Sequence, residues 1–459
     1  MNSNTNDTIV ALATPYGMGA IAVIRLSGYN VFPIIEAIFK PKNKKKKIFE
    51  MKSHTSHLGY LKDEDKIVDE VLLNLFKAPH SYTGEDIIEI SCHGSTYIQN
   101  AIVEVLIKNG ARAAEPGEFT QRAFMNGKMD LSQTEAVADL IHSQSEAAKN
   151  IAINQLRGGI SSDIKLFKEE LIQFASLIEL ELDFSEEDVE FADRTRLMAL
   201  IKKSIHHIND LIQSFKYGNA IKNGISTAII GKPNAGKSTL LNSLLNEERA
   251  IVTEIPGTTR DTIEEVLYVR GIQFRFIDTA GIRETEDVIE KIGVEKAIEK
   301  MRSSQVFVYL FDINTTKIEE LKAEILTFPQ DVPFLLVANK IDICLPSVIE
   351  QFKEVIPDLI FISTKDKLSI EIVKLKLIEK LELEHIDTNA VIITNTRHLE
   401  AFQNTLDALM NIKSGIENNI PGDLLSIDLR QALYYLGSVT GEITSDDVLG
   451  NIFSKFCIG

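Results

Sequence analysis

The eight residues Gly231-Lys232-Pro233-Asn234-Ala235-Gly236-Lys237-Ser238 carry the spacing G-x-x-x-x-G-K-S/T between the β-branched run Ile225–Ile230 and the apolar pairs Leu240-Leu241 and Leu244-Leu245. Glycines at both ends let backbone N–H groups wrap phosphate oxygens at a helix N-terminus; Lys237 brings charge to the β- and γ-phosphates and Ser238 can ligate Mg²⁺. Three more signals follow. Asp278-Thr279-Ala280-Gly281 places a carboxylate near Mg²⁺ and a glycine N–H that can sense the γ-phosphate. Asn339-Lys340-Ile341-Asp342 closes the run Phe334–Ala338, and Asp342 can accept both the ring N–H and the amino group of guanine, which adenine cannot match. Ser363-Thr364-Lys365 completes the base pocket, and the four elements together select GTP over ATP.

Gly257-Thr258-Thr259-Arg260-Asp261 falls where a first switch loop belongs, so that either Thr258 or Thr259 can close on Mg²⁺ and the γ-phosphate. Many GTPases follow the DTAG segment with a water-orienting Gln; here the residue is Ile282, so another group must hold the attacking water. Glu290 is the first choice, with Glu284, Glu286 and Asp287 as rivals, while Arg260 and Arg283 can serve as arginine fingers or as surface ion-pair partners.

These loops need a scaffold. From 223 to 383, short strand-like runs (Ile225–Ile230, Arg275–Ile277, Val306–Phe311, Phe334–Ala338, Ile360–Ile362) alternate with helical patterns, which predicts a mostly parallel sheet covered on both faces. Residues 1–120 mix the runs Ile21–Ile24, Val71–Phe76 and Ile87–Ile90 with a helix over Tyr97–Asn109, an α+β pattern. Between 121 and 222, one helix carries Val137, Leu140, Ile141, Ala148 and Ile151. After Gly158-Gly159 another puts Ile160, Ile164, Phe167, Leu171, Phe174 and Ile178 on one face, with the acidic stretch Ser185–Glu190 as the next turn. Residues 384–459 return to that pattern with Leu399, Phe402, Leu406, Leu409 and Ile412, then Leu429, Leu433 and Leu436. The expectation is one discontinuous helical domain interrupted by an α/β insert.

Composition narrows the function. Hydrophobic residues at 44% and charged residues at 25% exclude bulk disorder. A net charge of −17 excludes a protein that coats nucleic acid by charge alone, so RNA must meet a local patch; the Lys42–Lys47 run reads as a solvated loop, with a phosphate contact as the alternative. Cys92, Cys344 and Cys457 are too few and too scattered for a disulfide framework or a zinc site, which fits a reducing compartment. The longest apolar run near the start is Ile9–Ala13, far short of a membrane span, and a cytoplasmic location is expected. Cys92-His93 looks like a thiol pair, but neighbours on a strand face opposite ways.

The GKPNAGKST, PGTTRD and DTAGIRETED motifs, with DTIVALATPYGMGAIAVIRLSG at the start, EPGEFTQRAFMNGKMDLSQTEAVADLI at the junction and FSKFCIG at the end, resemble the tRNA uridine-5-carboxymethylaminomethyl modification GTPase family (MnmE/TrmE) across essentially the whole chain. The resemblance implies a multidomain fold. An N-terminal α+β folate-binding and dimerisation domain would span 1–120, a discontinuous all-α domain 121–222 and 384–459, and an inserted Ras-like P-loop GTPase domain 223–383. It implies a K⁺-stimulated hydrolase whose nucleotide site comprises Asn234, Ala235, Gly236, Lys237, Ser238, Thr239, Thr253, Thr258, Thr259, Asp278, Thr279, Ala280, Gly281, Asn339, Lys340, Asp342, Ser363 and Thr364. Mg²⁺ would sit on Ser238 and Thr259, K⁺ on Asn234 and the loop at Gly257 and Thr258, and Glu290 aligns with the family's catalytic glutamate, acting with Lys237.

Arg25, Glu89 and Lys128 match its binding positions for 5-formyl- or methylene-tetrahydrofolate. The family usually ends in Cys-Ile-Gly-Lys, where this sequence reads Cys457-Ile458-Gly459 without the Lys, and the resemblance implies that the cysteine is needed for modification. The implied partners are a second copy, the FAD-dependent MnmG/GidA protein, which alone carries flavin, and tRNA, with an aminomethyl-type group installed at C5 of the wobble uridine. A regulatory switch acting at ribosomes or membranes is the rival reading, since G-domain motifs are shared by such proteins.

Overall fold

The computed structural model describes residues 7–42, 47–183, 194–246, 265–277, 290–382, 390–418, 420–442, 449, 452–453 and 456. Two compact units emerge, one from residues 1–141, 155–205 and 401–459, the other from 142–154 and 206–400.

The first unit is built on β1 (Thr8–Leu12), β2 (Ile21–Gly28), β3 (Phe39–Pro41), β4 (Thr55–Asp63), β5 (Lys66–Phe76), β6 (Ile87–His93) and β7 (Arg112–Ala113), in the order β3-β4-β5-β6-β2-β1-β7. All pairings are antiparallel except β1 with β7. Ala22, Ile24 and Leu26 of β2 point into the same core as Ile88 and Ile90 of β6 and Leu73 and Leu75 of β5. Helices α1 (Val31–Ile38) and α2 (Thr96–Lys108) close that core with Ile35, Ile102 and Leu106. Period-two alternation leaves Arg25 on the other face, where the register sets it directly opposite Glu89. It also parts Cys92, which is buried, from the exposed His93.

The helical part of this unit contains α3 (Glu118–Met125), α4 (Leu131–His142), α6 (Gly159–Asp183) and α14 (Gly422–Thr440), together with the ends of α7 (Arg194–Asn223) and α13 (Thr396–Glu417) that belong to it. Asp130 and Gln133 open α4 as a reciprocal capping box: the Gln133 amide donates to Asp130 Oδ1 at 2.9 Å and the Asp130 amide to Gln133 Oε1 at 3.0 Å. The expected face of α6 is buried at Ile160, Ile164, Leu171, Phe174 and Ile178, with Phe167 half-buried, and the helix packs against α14.

Two helical expectations need correction. The helix carrying Val137 to Ile151 is broken: α4 stops at His142, and Ser145 Oγ accepts from the Ala148 amide at 3.1 Å to start α5 (Glu146–Leu156). On α13 and α14, Leu399, Leu406 and Leu433 are only half-buried, and the small residues Ala401, Ala408 and Ala432 take the inner positions beside Phe402, Leu409 and Leu429. The acidic stretch Ser185–Glu190, expected as a turn, lies outside the described residues.

The second unit holds β8 (Ile225–Ile230), α8 (Lys237–Asn246), β9 (Glu265–Val269), β10 (Ile272–Phe276), α9 (Glu290–Ser303), β11 (Val306–Asp312), α10 (Ile318–Ile325), β12 (Phe334–Asn339), α11 (Pro346–Val355), β13 (Ile360–Phe361) and α12 (Lys367–Lys380). The strands run in the order β13-β12-β11-β8-β10-β9, parallel except for β9, an edge strand that the apolar runs had not revealed. Along β11, Val306, Val308 and Leu310 enter one core with Leu240 and Leu244 of α8 and Leu377 of α12. Phe307, Tyr309 and Phe311 enter the opposite core with Leu321 of α10 and Phe352 of α11. A strand buried on both faces explains the unbroken apolar run. No helix among the described residues is long and apolar enough to cross a membrane.

In the first unit, Glu118 accepts from Arg112 at 2.6 Å and from Arg122 at 2.9 Å, while Arg112 also reaches Asp7 at 2.7 Å. Burial alone would raise both carboxyls, but the two guanidinium groups outweigh it and hold Glu118 and Asp7 below their ordinary values of 4.5 and 3.8. Carboxylates depressed in the fold contribute stability above those ordinary values and lose it as pH falls through the lowered ones. Thermal melts should therefore show an acid limb beginning below pH 4.5. Glu118→Gln should flatten that limb and cost about 1–3 kcal/mol at neutral pH.

Candidate functional site

The turn after β8 is shaped by the neighbouring strand before any ligand is considered. A Cβ at Gly231 would lie 1.9 Å from the Leu310 carbonyl oxygen of β11, so only glycine lets the chain leave β8 there. Asn234 adopts a left-handed φ of 63° and Gly236 one of 100°, and a Cβ at Gly236 would stand 2.4 Å from Asn339 Nδ2. The result is a loop whose backbone faces the N-terminus of α8, where Lys237 and Ser238 are the first helical residues and Thr239 the next. Lys237 Nζ folds back onto the carbonyls of Gly231 at 2.8 Å and Lys232 at 2.9 Å. Burial, with a smaller push from Lys300, lowers its pKa, and an anion at the loop would reverse that penalty.

Asn339, 1% exposed at the end of β12, ties this loop to the base side. Its Nδ2 donates to the Ala235 carbonyl at 2.8 Å, and its Oδ1 accepts from the amides of Lys340 at 2.8 Å and Thr364 at 3.2 Å. Lys340 takes a left-handed φ of 66° and turns the chain into the short 3₁₀ turn Ile341–Ile343 that carries Asp342. Asp342 accepts from Ser363 Oγ at 3.1 Å and Lys365 Nζ at 3.1 Å; the Lys365 hydrogen bond is the main cause that keeps its carboxyl below the usual range. Ser243 of α8 donates to the Thr364 carbonyl at 3.0 Å. Asn234 through Ser238, Asn339, Lys340, Asp342, Ser363 and Thr364 thus come together at the carboxyl ends of β8, β12 and β13.

Thr253, Gly257, Thr258, Thr259, Asp278, Thr279, Ala280, Gly281 and Cys457 lie outside the described residues; Glu290 opens α9, and its side chain lies outside them too. Of the residues assigned to Mg²⁺ and K⁺, Ser238 and Asn234 are described, both at the phosphate loop. The sequence reading missed Asp312 at the end of β11, which receives Lys340 Nζ at 2.7 Å. It also missed Glu324 of α10, which holds Lys232 of the phosphate loop at 2.6 Å and accepts from Tyr309. An acid directly after the apolar run Val306–Phe311 was the available signal for Asp312.

A second constellation lies on the sheet face of the first unit opposite its main core, where Phe119 and Tyr82 pack with Ile9 and Ala11. Arg25 meets Glu89 through Nε at 2.9 Å and Nη2 at 2.8 Å, with its guanidinium 5.4 Å from the Tyr82 ring and 5.7 Å from that of Phe119. Lys128 is tethered elsewhere on the segment that carries Tyr82, donating to the Pro79 carbonyl at 3.0 Å rather than joining the Arg25–Glu89 pair. Burial pushes the Cys92 thiol up to about 11, which makes it a core side chain and not a nucleophile.

A glycine-shaped loop at a helix N-terminus, hydrogen-bonded to an Asn-Lys-Ile-Asp segment, has the pattern of a P-loop GTPase. The family model "MnmE helical domain" matches residues 131–457, and "GTP-binding protein TrmE N-terminus" matches residues 8–128. The chain is 54% identical over 460 residues to the tRNA modification GTPase MnmE of Flavobacterium psychrophilum, covering 99% of both chains. It is 53% identical over 464 residues to that of Cytophaga hutchinsonii (100% of this chain, 98% of the relative) and 47% over 462 residues to that of Bacteroides thetaiotaomicron (99% of both). The chain belongs to the MnmE family of tRNA modification GTPases, and it is a GTP-hydrolysing enzyme.

Asp342→Asn should weaken GTP binding and favour XTP instead, because the amide N–H₂ can donate to the xanthine carbonyl that replaces the guanine amino group. Competition of the two nucleotides for the purified chain reads this out; an unchanged GTP preference would remove Asp342 from base reading.

Proposed function

We propose that this enzyme couples K⁺-stimulated GTP hydrolysis to the installation of a carboxymethylaminomethyl or aminomethyl group at C5 of the tRNA wobble uridine. It would act as a homodimer with an FAD-dependent partner of the MnmG/GidA type and use 5-formyl- or methylene-tetrahydrofolate as one-carbon source. The domain division proposed with it is 1–120, 121–222 with 384–459, and 223–383. The GTP part of the reading is supported by the Asn339 junction, which makes the phosphate loop, the base reader and the closing loop one hydrogen-bonded unit, and the tRNA part by the full-length likeness to tRNA modification GTPases.

GTP would enter with its phosphates on the loop Asn234–Ser238, drawing Lys237 Nζ from the loop carbonyls it now caps. Ser238 and Thr259 would hold Mg²⁺; Asn234, with carbonyls at Gly257 and Thr258, would hold K⁺. A monovalent cation there supplies charge that offsets what develops between the β- and γ-phosphates. With no Gln after Gly281, Glu290 is the residue assigned to orient water, and Asp278, Thr279, Ala280 and Gly281 the segment that responds to the γ-phosphate. Thr239 and Thr253 complete the proposed nucleotide set.

Arg25, Glu89 and Lys128 suit a folate. The cationic groups can pair its carboxylates, Glu89 can accept from the pterin amino group, and Tyr82 and Phe119 line the guanidinium with aromatic surface. Cys457 is assigned a part in modification without a defined chemical step, and flavin chemistry falls to the partner.

Nucleoside mass spectrometry of tRNA from cells lacking the protein should show loss of carboxymethylaminomethyl or aminomethyl wobble uridines. The wild type should restore them and Glu290→Ala should not; an unchanged profile would favour a switch without modifying activity. In purified protein, Glu290→Ala should lower turnover far more than GTP affinity. Arg25→Ala should lose folate binding by titration calorimetry, and undiminished binding would refute that assignment.

A further inference from the structure

The sheet order places β11 between β8, which leads into the phosphate loop, and β12, which leads into the base reader. Asp312 is the last residue of β11 and stands directly across from Asn339. Its carboxylate, with a side chain only 14% exposed, therefore sits at the centre of the carboxyl end of the sheet, where parallel α/β sheets bind their ligands. Asp312 Oδ2 accepts from Lys340 Nζ at 2.7 Å, while Oδ1 accepts from the Asn314 amide at 3.0 Å and from Asn314 Nδ2 at 3.1 Å. Asn314 Nδ2 also donates to the Lys340 carbonyl at 3.2 Å. Lys340 is consequently gripped at both ends, the ammonium by Asp312 and the carbonyl by Asn314, around its left-handed backbone.

We propose that Asp312, seconded by Asn314, is a positioning residue for guanine-nucleotide binding, which fixes Lys340 across the mouth of the base pocket before the nucleotide arrives. The assignment rests on the GTP reading of the site and extends it to residues outside the nucleotide motifs. A lysine carries a long, rotamer-rich stem, and ordering it is a cost that binding otherwise meets. Here a partly buried carboxylate meets that cost within the free protein. Burial opposes ionisation of Asp312, but the Lys340 and Asn314 hydrogen bonds win and keep its carboxyl below the usual range, so the tie is a charged one at neutral pH.

Fluorescent GDP titration and GTP hydrolysis with the purified full chain test this, with melts recorded in parallel. Asp312→Asn keeps an oxygen for the Asn314 amide and removes the charge. It should raise the GDP Kd and the GTP KM by about tenfold, with kcat at saturating GTP within about twofold of wild type. In a Lys340→Met background, itself weakened, adding Asp312→Asn should cost nothing further, because the partner through which it acts is gone. Asp312→Glu, which keeps the charge, should bind more tightly than Asp312→Asn. Losses that multiply in the double variant, a fall in kcat with KM unchanged, or Asp312→Glu weaker than Asp312→Asn would overturn the assignment. A wild-type chain that binds no GDP would overturn the GTP reading on which it rests, a result separate from any variant's behaviour.

Discussion

The Asn339 carboxamide is the joint on which the nucleotide site depends. A buried amide must satisfy both its donor and its acceptor side: here Nδ2 donates to the Ala235 carbonyl, while Oδ1 accepts from the adjacent Lys340 amide and from the Thr364 amide of another loop. Those segments follow β8, β12 and β13, so the bond network joins the loops of three strands of one sheet. Site and scaffold are therefore linked, since displacing the Ala235 loop would take the acceptor from the buried Asn339 Nδ2.

Legibility in the sequence followed the locality of the physics. Strands β8, β11 and β12 could be read because burial on both faces demands consecutive apolar residues, whereas β9 at the sheet edge offers only the short run Val266–Val269, buried at Leu267 and Val269. The break between α4 and α5 was hidden because the apolar spacing continues across a Ser145 cap that needs only one hydroxyl. On α13 and α14, large leucines drew the eye to a stripe slightly off the buried line, because alanines allow close approach but carry little hydropathic weight.

The same division holds for the site. Glycines and the Asn-Lys-Ile-Asp segment are legible because backbone turns restrict residue type at fixed spacing. Asp312 was not, because an acid after a strand is ordinary; its significance comes from the order of strands, a non-local property. The Arg25–Glu89 pair is similar, since its partners are separated by 64 positions and meet only through β2–β6 register. Lys128, assigned to the same ligand by resemblance, has a separate anchor at Pro79, which register alone does not foresee.

Gly231 carries a consequence for how sequence variation in this protein is read. The carbonyl oxygen that forbids a side chain there belongs to Leu310, a core residue of the adjacent strand. In a saturation screen, position 231 would be as intolerant as any residue that touches phosphate, yet its intolerance would report strand packing and persist in a variant that had lost all use for nucleotide. Mutational sensitivity along the phosphate loop is thus a mixture of two selective pressures. Only the close approach of the neighbouring strand's backbone, and not the sensitivity itself, separates one from the other.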